Sequence, residues 1–422
     1  MKNNEQITIL VILGMLMAIS PFSIDMYLPA FPAMALSLDT DVAHIGYSIT
    51  SYYAGLCIGQ LVYGILIDRF GRKKPLVVGL TIYLLAALGC AFAPNINFLV
   101  AVRFLLALGG CVGMVATRAI VRDLFSEKDT ARVLSQLVLV MGVAPIIAPT
   151  IGGWVNTWLG WRPVFGVMAL IALLLIFAVR YFLPETKKPD HTVSLKMQNI
   201  WPEYAAVLKN RSFLFYSLAG GLSYAGMFAY IAGSPFVFMQ RFDFSDTTYG
   251  WAFAFNACGL IIGSQLNRLA LKKSSSAQVA IRSAIFLFLV GAALLACTAL
   301  DLANAPITLG FTFSFLLCLG FINPNTTALA LQPFTKVAGR ASAILGSLQM
   351  IAGVLASWLV SFLHNGTLVV MPAIMFGCTV FTLGLLLLLP RLKKQEGKVV
   401  VMLKSGWNNN DESYGPRVSG KL

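Results

Sequence analysis

Long apolar runs recur along the whole chain, separated by short segments rich in proline, glycine and charge. Each run is long enough to cross a bilayer as a helix, which takes roughly 20 residues, and strand-type alternation is absent. The pattern therefore predicts an all-α integral membrane protein with about twelve transmembrane helices. The predicted spans are approximately 7–36, 44–67, 75–94, 97–122, 131–157, 161–183, 212–239, 247–270, 278–299, 304–332, 339–363 and 367–390.

A long polar segment from Pro184 to Arg211 divides the predicted spans into two sets of six. We expect an N-terminal six-helix bundle over residues 1–183, a central loop over 184–211, a C-terminal six-helix bundle over 212–390, and a disordered tail over 391–422. An internal repeat supports two pseudo-symmetric bundles: GILIDRFGRKK follows the second span and GSQLNRLALKK follows the eighth. Duplicated halves with a substrate path between them are a transporter architecture.

Composition and charge agree with a membrane protein. The chain is 58% hydrophobic and 11% charged, and its net charge of +14 lies in short segments between spans rather than in one stripe. Because basic residues are retained in the cytoplasm, both termini and the central loop are predicted to be cytoplasmic. The 7 cysteines are odd in number, lie in apolar spans and form no CxxC pair, so neither a disulfide framework nor a metal site is expected.

A single acid lies within the first apolar run. Asp25 stands in ISPFSIDMYLPAFP, where an ionised carboxylate would cost several kcal/mol unless it is paired or protonated. One interpretation is a functional acid in a cavity. The other is a hydrated, structural acid near the outer end of a long, tilted helix.

Charges and glycines cluster in the loop after the second span. Glycines there permit a tight turn and close helix approach, and the charges provide ion-pair partners at the membrane surface. Such a cluster can latch two bundles together in one conformation, although a loop that only sets orientation is the alternative. The candidate latch residues are Gly64, Asp68, Arg69, Gly71, Arg72 and Lys73.

This loop resembles the signature G-x-x-x-D-R-x-G-R-K of the major facilitator superfamily (MFS) and matches it at every fixed position. The second copy has Asn267 and Ala270 in place of the acid and a glycine, which is similar to the usual asymmetry of that superfamily. The resemblance covers essentially residues 5–390 and implies the MFS fold.

The fourth span also resembles a superfamily motif. In RFLLALGGCVGMVATRAIVRDLF, Arg103 matches an intramembrane arginine that the family associates with proton coupling. Asp123, at the end of the same span, matches the acid that pairs with the loop arginine. The resemblance therefore implies a latch of Asp68, Arg72 and Asp123.

The fifth span contains GVAPIIAPTIGG, which resembles the antiporter motif G-x-x-x-G-P-x-x-G-G. Pro145 and Pro149 remove backbone donors and bend a helix, while Gly152 and Gly153 let a neighbour approach. Such a helix, starting its motif at Gly142, could act as a pivot and as a seal against ion leak. An ordinary proline-kinked span is the alternative.

The stretch SIDMYLPAFP resembles the first-helix signature of the Bcr/CflA drug:proton antiporters, the bicyclomycin and chloramphenicol resistance branch. The resemblance implies that Asp25 takes part in proton exchange or substrate binding. We expect it to exchange a proton for a substrate, or for the Arg103 guanidinium, as the cavity opens to each side.

Aromatic, methionine and amide side chains within the spans are candidates for lining the substrate cavity, because large adaptable surfaces suit hydrophobic, varied ligands. Helix packing is the alternative for each of them. The candidates are Tyr27, Tyr53, Met114, Gln136, Tyr224, Asn256, Asn323 and Asn325.

The resulting hypothesis is proton-coupled secondary active efflux of small organic compounds, such as hydrophobic drugs, across the bacterial inner membrane by alternating access. We expect a monomer in the bilayer, no enzymatic activity, no metal, no cofactor beyond the proton gradient and no nucleic-acid partner. A proton-linked importer of a metabolite is one alternative, and a transport-inactive sensor or scaffold is another. The export direction follows from the resemblance alone.

Overall fold

The computed structural model describes residues 3–125, 127–190, 204–334 and 338–388, and the regular secondary structure of these residues is helical throughout. The predicted tail over 391–422 and part of the predicted central loop lie outside the described residues. The helices of the N-terminal half are α1 (Asn3–Asp25), a 3-10 turn (Leu28–Ala30), α2 (Phe31–Ser37), α3 (Val42–Arg69), α4 (Lys73–Ala91), α5 (Ile96–Leu124), α6 (Glu127–Leu159) and α7 (Arg162–Phe182).

The C-terminal half follows a short helical segment over 204–208. Its helices are α8 (Arg211–Ser234), continued by a π-helical segment (Pro235–Arg241), α9 (Asp246–Ala270), α10 (Ser276–Ala299), α11 (Ala305–Leu331), α12 (Ala338–Phe362) and α13 (Val370–Leu388).

The described helices confirm the predicted all-α membrane fold. Ten segments are long and apolar enough to cross a membrane, counting Gln6–Ser37 as one. Two more helices, α6 and α9, have 33 and 25 residues and pack against spanning neighbours. At 1.5 Å rise per residue both have spanning length.

The first predicted span is continuous in sequence but broken in the structure. Helix α1 ends at Asp25, and a 3-10 turn precedes α2. Pro29 and Pro32 lack the backbone N–H groups that would continue one α-helical ladder through this region. The break places the carboxylate of Asp25 at a helix terminus inside the protein.

Side-chain caps fix where several helices begin. The side chains of Asn95, Asn210 and Asn304 accept hydrogen bonds of 2.9, 2.9 and 3.0 Å from the backbone N–H three residues later. Each cap satisfies one of the donors that a helix leaves free at its N-terminus. These polar residues therefore mark where helices begin, which the pattern of apolar residues alone does not show.

The two halves pack together along two helix pairs, α3 with α12 and α6 with α9. One hydroxyl contact across the first pair joins Thr50 to Ser357 at 3.0 Å. We call the end that carries the α3–α4 turn the latch end. At the other end, called here the opposite end, the 3-10 turn contacts α9 and α2 contacts the π-helical segment, so both halves close around the terminus of α1.

Candidate functional site

Asp25 lies between the two halves. Its side chain is only 3% exposed, although it is the last residue of α1 and is followed by non-helical backbone. It is within electrostatic range of Tyr53 on α3, Tyr230 on α8 and Tyr249 on α9. Because these tyrosines come from both halves, the carboxylate faces the interface between them rather than lipid or bulk water.

The Asp25 carboxylate is buried and has no hydrogen-bond or ion-pair partner among the described residues. An unpaired carboxylate in such a place is strongly disfavoured in its ionised form. The negative end of the α1 dipole adds to that penalty, because anions are unfavourable at a helix C-terminus. The Asp25 carboxylate is therefore expected to hold a proton or to bind a cation.

Arg103 reaches the end of α1 that carries Asp25, but its guanidinium does not pair with the Asp25 carboxylate. Its side chain is fully buried, and Nη1 donates a hydrogen bond of 2.8 Å to the backbone carbonyl of Ser23. That carbonyl is among the last of α1, so the guanidinium caps the negative end of the helix. Sequence reasoning missed this cap, because a backbone acceptor leaves no signature in side-chain patterns.

Aromatic rings enclose the rest of the Arg103 guanidinium. Its carbon Cζ lies 4.0 Å from the ring centroid of Tyr27 and 4.4 Å from that of Tyr52. Desolvated cation–π contacts of this kind contribute about 2 kcal/mol each. Nε and Nη2 have no hydrogen-bond partner in the described part of the chain, so the guanidinium holds spare donors beside α1.

The predicted latch residues Asp68, Arg72 and Asp123 come together at the latch end. The Arg72 Nε and Nη1 atoms donate hydrogen bonds of 2.8 Å to Asp123 and to Asp68. Burial acts to lower the pKa of the Arg72 guanidinium, but the two carboxylates outweigh burial and raise it. Gly71 has φ of +83°, a conformation that glycine adopts without strain, and it forms the turn that aims Arg72 at both acids.

A segment after α7, Glu185 to Asp190, docks on the latch. The Glu185 carboxylate accepts hydrogen bonds from the backbone N–H groups of Arg72 (2.7 Å) and Lys73 (3.1 Å), at the N-terminus of α4. Lys187 pairs with Asp68 at 3.0 Å. From the sequence this segment is only the start of the central loop, and the charged residues of PETKKPD after α7 were the available signal.

Further bonds complete the docking. Thr186 donates to the Asp123 carboxylate at 2.9 Å, and the Asp190 backbone N–H donates to the Arg69 carbonyl at 3.1 Å. These bonds join the α3–α4 turn, the end of α5 and the chain leaving α7, all within the N-terminal half and the segment that leaves it. They do not connect the two halves, so the expectation that this cluster latches the two bundles together is not met by these contacts.

The second copy of the loop motif forms a neutral contact. Asn325 on α11 donates hydrogen bonds of 2.7 Å to the Asn267 side chain and 2.8 Å to the Phe321 carbonyl. Both asparagines are almost fully buried. Asn325 was predicted as a cavity residue, and the structure places it in the packing between α9 and α11.

The glycine- and proline-rich motif of α6 lies where three elements meet. A Cβ at Gly152 would overlap the Met26 carbonyl just after α1, and one at Gly153 would lie 2.9 Å from the Asp246 carbonyl on α9. Asn156 donates a hydrogen bond of 2.7 Å to the Asp246 carboxylate. The motif therefore contacts α1 with one glycine and the other half with the next.

The remaining residues of this motif lie on the same helix. Pro145 and Pro149 are inside α6, and the Pro149 carbonyl lies against Gly250 of α9. A Cβ at Gly142 would have only ordinary contact with Ile261. Close backbone approach is thus confined to the part of α6 nearer the opposite end.

A histidine closes the opposite end. The His364 ring lies 4.3 Å from the Phe236 ring, measured between centroids, and within electrostatic range of Asp41 at the start of α3. Burial lowers the pKa of His364, and the Asp41 carboxylate opposes that shift only in part. The ring contact is thus within the C-terminal half, and the histidine lies near the start of α3 in the N-terminal half.

Several predicted cavity residues line the interface. The Tyr53 ring lies 4.4 Å from the Phe228 ring, which lies 6.0 Å from the Tyr224 ring. Asn256 is buried in the C-terminal half and donates hydrogen bonds to Tyr230 (2.9 Å) and to a threonine hydroxyl (3.0 Å). The aromatic candidates therefore form a continuous surface that begins beside Asp25.

Other candidates lie apart from this surface. Asn323 accepts a hydrogen bond of 3.3 Å from Ser223 between α8 and α11. Met114 is half-buried on α5, and Gln136 is exposed on α6. Tyr249, which the sequence analysis did not select, hydrogen-bonds Ser234 at 2.7 Å and lies near Asp25.

Two helical halves around a buried carboxylate, with an ionic network at one end, form an architecture typical of membrane transporters. Residues 13–357 match the model of the Major Facilitator Superfamily, and the chain belongs to that family. It is a multi-pass membrane transporter of small molecules rather than an enzyme.

Similar proteins agree with the predicted branch. The chain is 33% identical to the "Uncharacterized MFS-type transporter YdgK" of Bacillus subtilis, over 88% of this chain and 92% of that protein. It is 31% identical to the "Bicyclomycin resistance protein homolog" of Haemophilus influenzae, over 90% and 96% of the two chains. It is 29% identical to the "Multidrug resistance protein MdtL" of Klebsiella pneumoniae, over 92% and 97%.

A solved structure, the "Crystal structure of D-xylose-proton symporter", superimposes with a TM-score of 0.68. The likeness covers 89% of this chain and 96% of that chain at 16% sequence identity. At this identity the likeness concerns the fold alone.

The family model and the sequence relatives confirm the predicted resemblance to the superfamily and to the bicyclomycin-resistance branch.

Proposed function

We propose that this transporter exports small organic compounds, hydrophobic drugs among them, in exchange for protons. The latch end faces the cytoplasm and the protein lies in the bacterial inner membrane as a monomer. Alternating access carries the substrate, and the proton gradient is the energy source without a bound cofactor. The membrane potential supplies about 2.3 kcal/mol per charge per 100 mV, to which a pH gradient adds.

The main support for proton coupling is the environment of Asp25. An acid that is 3% exposed, lies between the halves and has no partner among the described residues favours the bound proton. A substrate or water that reaches it when the halves rearrange can replace that proton. The same group thereby couples proton entry to substrate exit.

The proposed direction rests on two further observations. Basic residues concentrate at the latch end, as the positive-inside rule expects of a cytoplasmic surface. Two relatives are named for bicyclomycin or multidrug resistance. Resistance by transport requires outward movement of the drug.

The test uses purified protein in proteoliposomes with bicyclomycin as the first probe. Asp25→Asn removes the titratable group at nearly constant volume and is expected to abolish accumulation driven by an acid lumen. Asp243→Asn makes the same chemical change at an exposed turn of the opposite end and is expected to retain it.

Two results would contradict the proposal. Full proton-driven accumulation by Asp25→Asn would remove the acid from coupling. Substrate movement in the same direction as the protons, in wild-type vesicles, would favour an importer instead.

A further inference from the structure

Arg118 is a cation inside the protein that the latch and the Asp25 site leave unused. It lies on α5, and about 9 Å of helix rise separates it from Leu124 at the latch end. It is exposed to solvent, yet it is within electrostatic range of the fully buried Cys111 and of Tyr224 on α8. Its side chain is therefore open to solvent on the side of α5 that faces the C-terminal half.

No carboxylate among the described residues pairs with this charge. Among the described residues, the Arg118 guanidinium makes no hydrogen bond or ion pair, and Arg122 contacts only its backbone carbonyl, at 3.3 Å. A cation at membrane depth is rare and costly unless it lines an aqueous path or meets an anion. This side of α5 therefore presents one free guanidinium to whatever enters from the latch end.

An aromatic run connects this cation to Asp25. Tyr53 lies in electrostatic range of the Asp25 carboxylate, and its ring is tilted against the Phe228 ring with 4.4 Å between the centroids. The Phe228 ring stacks on the Tyr224 ring at 6.0 Å, and Tyr224 lies in electrostatic range of Arg118. Two of these rings belong to the C-terminal half and one to the N-terminal half. The interface thus places an acid at one end, a base at the other and apolar rings between them, of which Tyr53 and Phe228 are buried in this conformation.

We propose that this surface binds amphoteric aromatic compounds, with the ammonium group at Asp25 and an anionic group, such as a carboxylate, at Arg118. The inference rests on the proposed function, which assigns Asp25 to the substrate pathway, and it adds a substrate class. Bidentate recognition of a carboxylate is a property of the planar guanidinium, and ring stacking supplies the apolar contact. A compound with only one of the two charges would leave the other site unfilled.

The test measures equilibrium binding to the full chain in nanodiscs without a proton gradient. The probes are ciprofloxacin, which carries an aromatic nucleus, an amine and a carboxylate, its methyl ester, which lacks the anion, and its N-acetyl derivative, which lacks the cation. We expect wild type to bind ciprofloxacin at least tenfold more tightly than either derivative. Arg118→Gln should remove that advantage over the ester, and Arg118→Lys should restore part of it.

The matched control is Arg122→Gln, one turn further along α5 and also exposed. It should change the binding of none of the three probes. Equal binding of ciprofloxacin and its ester by wild type, or equal weakening of both by Arg118→Gln, would overturn the proposal. So would binding of none of the probes.

A lipid phosphate is the other source of an anion for Arg118. Nanodiscs of phosphatidylcholine are therefore compared with nanodiscs that also contain phosphatidylglycerol. Competition by the anionic lipid in wild type, absent in Arg118→Gln, would assign the guanidinium to lipid and overturn the substrate site. Transport of the methyl ester driven by an acid lumen tests the export function separately, because the ester does not need Arg118.

Discussion

Removing the Glu185 carboxylate is expected to release the segment that docks on the latch. Glu185 accepts two hydrogen bonds from backbone N–H groups at the start of α4, at 2.7 and 3.1 Å. A hydrogen bond to a charged group contributes about 1.5–3 kcal/mol when it is buried. Glu185 is exposed, so we discount each bond to about 1 kcal/mol, which gives about 2 kcal/mol for the pair.

A loss of about 2 kcal/mol increases local opening roughly 30-fold, since 1.36 kcal/mol corresponds to a factor of ten. The reporter is the Asp190 backbone N–H, which is bonded to the Arg69 carbonyl only while the segment is docked. Hydrogen exchange followed by mass spectrometry should show about 30-fold faster exchange at this position in Glu185→Ala. Glu185→Gln keeps an acceptor but loses the charge, so it should show a smaller increase.

The matched control is Lys188→Ala in the same segment. Lys188 is exposed, and its side chain makes no hydrogen bond or ion pair with the described residues, so exchange at Asp190 should stay within about twofold of wild type. Unchanged exchange at Asp190 in a folded Glu185→Ala protein would refute the claim that Glu185 holds the segment. Equal acceleration by the lysine variant would show that any change in the segment releases it.

Three other perturbations have defined outcomes. Gly152→Ala would overlap a backbone carbonyl just after α1 and should lower the melting temperature, by a destabilisation of about 1–3 kcal/mol, whereas Gly166→Ala points into open space and should not. Asn325→Ala leaves the buried Asn267 oxygen without its donor and should cost about 1–3 kcal/mol in the same assay, whereas an unchanged melting temperature would show that water replaces the donor. Burial lowers the pKa of His364 in the folded protein, so the neutral imidazole contributes stability above the unfolded pKa of about 6.5. That contribution is lost as the pH falls through the folded pKa, because the buried imidazole must then take a proton. Acidification should therefore lower the melting temperature of wild type more than that of His364→Gln.

The sequence was informative where the signal is local. Apolar length predicts the helices, and polar caps such as Asn95 mark their starts. The loop motif and the family resemblance also name three side chains that the structure brings together, including Asp123, which lies 51 residues after Arg72. Their role as a latch stays a prediction. The break at Asp25 was signalled by two nearby prolines, yet the unbroken apolar length outweighed them.

Contacts set by the return path of the chain were not predictable. The docking of Glu185 on the α4 terminus depends on where α7 ends in space, and neither segment carries a pattern that names the other. The cap made by Arg103 on the Ser23 carbonyl is equally hidden, since its acceptor is backbone. The role of Asp25 in coupling stays a prediction, as does the division into bundles at 183 and 212.

The two copies of the loop motif differ in charge and in exposure to water. This difference indicates which half is expected to control the change of conformation. In the N-terminal half, Asp68 and Asp123 are partly exposed and share the buried Arg72. If the turn opens, these charges lose their mutual attraction but regain contact with water. In the C-terminal half, a buried amide pair of Asn267 and Asn325 carries no charge and makes a bond of 2.7 Å that solvent does not reach. A neutral buried pair stabilises a fixed helix crossing, whereas a half-exposed ionic network loses little free energy when water replaces its partners. The switch between conformations is therefore expected to lie at the charged copy, with the neutral copy serving as the rigid partner against which it moves.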